Sequence, residues 1–88
     1  MKKKYIPARE RVRLRSGDVV KIAREMLGLT QAALAKKAGI SASHLSEIES
    51  NQLEIGRLRA LLLAKALKIA APYIMFPTPD FYEMSHAA

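Results

Sequence analysis

The 88-residue chain contains no cysteine and no tryptophan. Without thiols there is neither a disulfide framework nor a thiolate metal site, and nothing argues for an oxidising compartment. The two histidines, His44 and His86, are isolated and lack clustered carboxylates, so no metal ligand set is expected. Aromatic residues are scarce, three tyrosines and two phenylalanines, too few for a stacking platform that would hold single strands or RNA. The four glycines are scattered singly, which excludes a glycine-rich phosphate loop. Ser46, Glu47 and Glu49 are close in sequence but have no base, orienting partner or oxyanion loop beside them, so no enzyme and no cofactor is expected.

Long apolar runs are missing too. None approaches the ~20 residues needed to cross a bilayer. The start, MKKKYIP, has the charge of a signal peptide without the apolar stretch that should follow. The basic start also lacks the apolar face or lipidation signal of a membrane anchor. The expectation is a soluble cytoplasmic protein with no membrane partner.

What is present is positive charge, unevenly placed. The formal net charge is +7. Residues 1–15 hold seven basic side chains against Glu10, whereas the rest of the chain is nearly neutral. The charge is therefore an N-terminal arm, interrupted by Pro7 and ending in the alternating RVRLR of residues 11–15. Such an arm is either a solvated tail or a segment that tracks phosphates or enters a minor groove, with Arg13 and Arg15 as its inner contacts.

The length suits one small core of four or five helices. Ser16 is placed to cap a first helix, with Asp18 favourable beside the positive end of its dipole. Val19, Ile22, Ala23, Met26 and Leu27 recur at helical spacing as one apolar stripe, and Gly28 ends the helix. Leu29 is then buried and Thr30 caps a second helix, Gln31 to Ala38. Gly39 sits where the chain must take positive φ to leave that helix. Ile40 plugs the turn, and Ser41 caps a third helix running to about Ser50. Leu34, Ala35, Ala38, Ile40, Leu45 and Ile48 face inward, and the small Ala35 and Gly39 let the two helices cross closely. This pattern is a helix-turn-helix, whose second helix can enter a major groove. Asn51 is a left-handed C-cap, and the QLEIG loop leads to a fourth helix from about Gly56 to Leu67. Leucines 58, 61, 62, 63 and 67 occupy more of that helix than one core requires, which suggests contact with a second copy or with the chain's own tail. Pro72 opens a short fifth helix that buries Ile74, Met75 and Phe76. Pro77 and Pro79 stop it, and Thr78, Phe81 and Tyr82 either cap and anchor one more turn or stay without order. The implied division is an arm at 1–15, a domain at 16–76 and a tail at 77–88.

The stretches REMLGLTQAALAKKAGIS at 24–41, HLSEIESN at 44–51 and LLLAKALKI at 61–69 resemble the phage-repressor (XRE, Cro/repressor) type of helix-turn-helix domain. The resemblance covers about residues 20–75. It implies an all-α, five-helix DNA-binding domain that acts as a repressor-like transcriptional regulator on a palindromic operator. It also implies double-stranded DNA as partner and association with the nucleoid when bound. The serine-rich third helix, together with the apolar excess of helix 4 and of Ile69 to Phe76, predicts a symmetric homodimer formed through helix 5 and the end of helix 4. Gln31 matches a family position next to the DNA backbone, and Arg24 and Glu49 match positions that form a partly buried ion pair. From the helix-turn-helix geometry, Ser41, Ala42, Ser43, Ser46 and Glu47 are expected to face bases. His44 lies on the flank and Thr30 near a phosphate, while Lys36 and Lys37 are a solvated face. The third helix carries no arginine, lysine, asparagine or glutamine before Asn51, so the strongest bidentate base readers are absent. That departure leaves an alternative open. Small stand-alone members of this family resemble antitoxins, which neutralise a toxin protein and autoregulate their operon, with the arm and the apolar tail as toxin-binding segments.

Overall fold

The computed structural model describes residues 14–77. The sequence expectations for residues 1–13 of the arm, Arg13 included, and for the tail beyond Pro77 lie outside the described residues. Among the described residues five helices follow one another: α1 (Ser16–Met26), α2 (Gln31–Ala38), α3 (Ala42–Glu49), α4 (Arg57–Leu67) and α5 (Ala71–Met75). Helix α1 packs against α3 and α5, α2 against α3 and α4, and α4 against α5. The core they enclose is aliphatic, with Val19, Val20, Leu34, Leu45, Ile48, Leu63 and Ile74 fully buried.

Helix boundaries follow from local chemistry. The Thr30 hydroxyl accepts the Ala33 N–H at 3.0 Å, and the Ser41 hydroxyl accepts the His44 N–H at 3.1 Å. Each satisfies one of the backbone donors left free at a helix start. Gly39 has φ of 77°, and the Ile40 N–H turns back to the Ala35 carbonyl, closing α2 by a left-handed C-terminal motif. The same device ends α1 at Gly28, α3 at Asn51 and α4 at Lys68, the last two with φ of 62° and 61°.

Three expectations are corrected. Ser16 does not cap α1. The Arg15 backbone occupies that position, its N–H held by the Asp18 carboxylate at 2.9 Å, while the Ser16 hydroxyl donates to the Ile74 carbonyl at 2.6 Å. The serine is thus a tertiary tie from α1 to α5. Met26 and Leu27 are exposed rather than part of the buried stripe. The interior beside the last turn of α1 is filled by the Arg24 guanidinium, which reaches the Leu29 carbonyl, and these two side chains are left to solvent. Phe76 is also exposed, because α5 ends one residue earlier and turns only Ile74 fully inward.

A close approach that composition alone does not reveal joins α1 to the end of α3. The Gly17 N–H donates to Asn51 Oδ1 at 3.0 Å, and Asn51 Nδ2 donates to Asp18 Oδ1 at 3.0 Å. A Cβ on Gly17 would overlap the Ile48 carbonyl oxygen and lie 2.6 Å from Asn51 Oδ1. Glycine is required there by space, not by backbone angle. Asn51 meets two demands at once: it tolerates positive φ, and its amide bridges two residues of α1.

Lys68 and Asn51 therefore respond oppositely to glycine. Lys68→Gly relieves left-handed strain at an exposed site and should stabilise by about 1 kcal/mol. Asn51→Gly relieves similar strain but removes two part-buried hydrogen bonds, so a net loss of about 1–2 kcal/mol is expected. Urea unfolding of the two variants checks the opposite signs.

Candidate nucleic-acid interface

Helix α3 has two unlike faces. Leu45, Ile48 and Glu49 are buried, whereas Ala42, Ser43, Ser46, Glu47 and Ser50 lie together on the opposite, solvent-facing side. The first turns of that open face carry only methyl and hydroxyl groups, and Glu47 is its one long side chain. Ser41 and Ser43 hydroxyls lie 3.5 Å apart, and the Ser50 hydroxyl is turned back onto the Glu47 carbonyl at 3.1 Å. His44 is half-buried at the edge, as expected of a flank position. Thr30 is exposed but its hydroxyl is spent on the cap of α2, and Lys36 and Lys37 are exposed at the end of that helix. Arg15 is exposed at the start of α1.

The inner face of α3 is anchored by charge. Arg24 Nε donates to Glu49 Oε2 at 2.7 Å and Nη2 donates to Oε1 at 3.1 Å, a two-pronged pair. Its Nη1 donates to the Leu29 carbonyl at 2.7 Å. Gln31 Nε2 adds a 2.9 Å hydrogen bond to Glu49 Oε1. Only 12% of the Arg24 side chain and 3% of the Glu49 side chain remain exposed. The hydrogen bond to Glu49 is the largest influence on Arg24, outweighing partial desolvation and holding the guanidinium charged even more firmly than usual. Glu49 thereby connects α1, α2 and α3. Among the described residues, no buried side-chain nitrogen or oxygen lacks a partner. Gln31, expected beside the DNA backbone, is half-buried and uses one amide N–H inside the fold; the second N–H and the amide oxygen are its remaining polar capacity.

Sequence reasoning missed the neighbourhood of the α4 start. A cleft of about 500 Å³ runs between the first residues of α3 and of α4, lined by Ile40, Ser41, His44, Gly56, Leu58 and Arg59 among others. No side chain caps α4, and its first turn holds no acid but does hold Arg57 and Arg59. The signal was visible as RLR after a glycine, yet only the fold brings it next to Ser41. Among the described residues there is no group of acidic or histidine side chains fit to hold a metal, and no helix long and apolar enough to cross a membrane.

Glu49→Ala strands a largely buried guanidinium and should cost about 3–5 kcal/mol. Arg24→Ala strands the carboxylate, with a loss of similar size. The double variant should lose clearly less than the two single losses added together, because each variant breaks the same pair. Additive losses in urea unfolding would contradict the coupling.

Comparisons with known proteins agree with this geometry. Residues 20–74 match the helix-turn-helix family HTH_3. The DNA-binding domain of the P22 c2 repressor, determined by nuclear magnetic resonance in solution, superposes with a TM-score of 0.69 at 30% identity, covering 73% of this chain and 84% of that one. The crystal structure of the P22 c2 repressor protein in complex with synthetic operator 9T superposes with a TM-score of 0.66 at 31% identity, covering 69% and 92%. No curated protein sequence matches. On the matched residues, the five-helix order and the Arg24–Glu49 anchoring of α3, the chain belongs to the phage-repressor type of helix-turn-helix family.

Proposed function

We propose that this protein is a repressor-like transcriptional regulator that reads operator DNA with α3 and carries no catalysis of its own. The observation that carries the reading is the open face of α3, where Ala42, Ser43, Ser46 and Glu47 stand clear of the domain on a helix fixed from behind by Glu49. Short side chains let the helix backbone approach the floor of a major groove. Ser43 and Ser46 donate to or accept from base edges, Ala42 meets a thymine methyl, and Glu47 accepts from a cytosine amino group. The similarity to a repressor described in complex with an operator supports the same reading.

Backbone contacts complete the interface. Gln31, with its free amide N–H and the open helix N–H groups beside it, faces one phosphate, and Thr30 lies next to it. Arg59, in the other wall of the cleft beside Ser41 and His44, and Arg57, in the same first turn of α4, neutralise phosphates across the groove. Arg13, Arg15 and the rest of the basic arm extend the interface along the duplex. Two copies acting as a homodimer on a two-fold symmetric site supply the specificity that one serine-rich helix lacks. The site of action is the cytoplasm, on the nucleoid.

Selection from a random library of DNA duplexes tests the reading, with enrichment of a defined sequence expected and no enrichment overturning it. On the selected duplex, Glu47→Ala should relax discrimination at one cytosine by about 1–3 kcal/mol. It should also strengthen binding to unrelated sequences, because a repelled carboxylate is gone. Deleting residues 1–13 should weaken binding to every sequence alike. The slope of log affinity against log salt should flatten by about 0.9 for each phosphate that the arm no longer neutralises.

A further inference from the structure

The carboxylate of Asp18 is shared between two distant pieces of chain. Its Oδ2 accepts the Arg15 N–H at 2.9 Å, and its Oδ1 accepts from Asn51 Nδ2 at 3.0 Å. Asn51 Oδ1 in turn accepts the Gly17 N–H at 3.0 Å. Both ends of the Asn51 amide are thus committed to α1, although Asn51 closes α3. The residue also carries a left-handed φ of 62°, which glycine would adopt at less cost. Strain is accepted here at a position whose amide crosses to α1. Arg15 is extended, with φ of −109° and ψ of 168°, and Leu14 is half-buried against the core in the cleft that Leu53 and Ile55 also line.

We infer that Asp18 and Asn51 are positioning residues for DNA binding, which together hold the root of the basic segment, Leu14 and Arg15, in a fixed direction relative to α3. The inference rests on the proposed operator-reading role. Residues 1–13 carry Lys2, Lys3, Lys4, Arg9, Arg11 and Arg13 against Glu10 alone. Charge of that kind gains phosphate contacts whatever the base sequence. The gain is reduced by the conformational freedom lost when a tethered segment settles on a duplex. A root already fixed against α3 has lost part of that freedom during folding, and binding is favoured accordingly. The bridge has the form this requires: one oxygen of Asp18 holds the backbone of the root, and the other holds the residue that ends the helix facing DNA. Neither residue has to touch a phosphate, and the Asp18 carboxylate would repel one. The bridge is also additional to what fastens the helices. Helix α1 is already tied to α3 through Arg24 and Glu49 and to α5 through Ser16. The Asp18–Asn51 bond lies at the end of α1 where the basic segment leaves.

The test uses the full chain unaltered, with Asn51→Gly, with Asn51→Asp, and with Asn51→Asp paired with Asp18→Asn. The pair exchanges donor and acceptor at the bridge and keeps the net charge. The unaltered and Asn51→Gly forms are also made in a full-length chain whose basic residues at 2, 3, 4, 9, 11 and 13 are replaced by glutamine. All are titrated on the duplex that the unaltered chain selects, under conditions where urea unfolding shows each to be folded. Loss of about one residue's worth of backbone order at the root should weaken binding by Asn51→Gly about tenfold. Asn51→Asp sets two carboxylates against each other and should weaken binding further, and the paired variant should recover most of the unaltered affinity. In the glutamine chain Asn51→Gly should shift affinity by less than about twofold, because no charged segment is left to place. A loss that persists undiminished there overturns the inference, since Asn51 then acts on α3 itself. Failure of the paired variant to recover overturns the bridge. Without DNA, the Arg15 amide should exchange with solvent about tenfold faster in Asn51→Gly than in the unaltered chain, and an unchanged rate overturns the fixing of the root. Enrichment of no duplex by the unaltered chain overturns operator reading, and the role in binding with it, while amide exchange still tests the fixed root separately.

Discussion

Glu49 is a carboxylate with almost no access to water, and the arrangement of three helices converges on it. Burying a lone charge would be prohibitive. The carboxylate is tolerated because Arg24 meets both oxygens and Gln31 adds a third N–H. Each partner comes from a different helix, and Arg24 also grips the loop after α1 through the Leu29 carbonyl. Apolar packing of Leu45 and Ile48 holds α3 against the core, but such packing is non-directional. The ion pair adds direction, because a guanidinium and a carboxylate match in only a narrow range of orientations. The rotation of α3 about its axis, and hence which side chains face outward, depends on this group.

The second tie, at the other end of α1, works by close packing of backbone. Gly17 lets the backbone of α1 touch the last turn of α3, and Asn51 bonds the touching segments. One helix is thus held at both ends against the recognition helix, by charge at Arg24 and by close approach at Gly17. The Ser16 bond to Ile74 fastens the same end to α5.

Much of this is legible in the residues themselves. Thr30, Ser41 and Gly39 act through neighbours in sequence, so their roles as caps and turn can be read without a fold. The family resemblance places Arg24 opposite Glu49. What cannot be read depends on distant chain segments. Ser16 has the chemistry of a cap, yet a carbonyl 58 residues away takes its hydroxyl. Met26 and Leu27 have the right spacing for a core stripe, but the interior there is occupied by an arginine. The leucine excess of α4 is visible in the sequence, but which leucines are spare is decided by where α5 packs. Resemblance puts Gln31 at a phosphate, whereas its hydrogen bond to Glu49 emerges only once α2 and α3 cross.

The clamped start of α1 has a directional consequence. Leu14 and Arg15 leave the domain beside Asn51, against the loop at Leu53 and Glu54, which is where α3 ends. The uncapped start of α4, with Arg57 and Arg59, lies where α3 begins. Helix α3 is therefore bracketed lengthwise, with arginines beside both of its ends. Because the brackets differ, one the uncapped start of α4 and the other the extended segment that leads into α1, the surface has a built-in polarity. A short α-helix with a nearly featureless outer face thus obtains its polarity from what stands at its two ends.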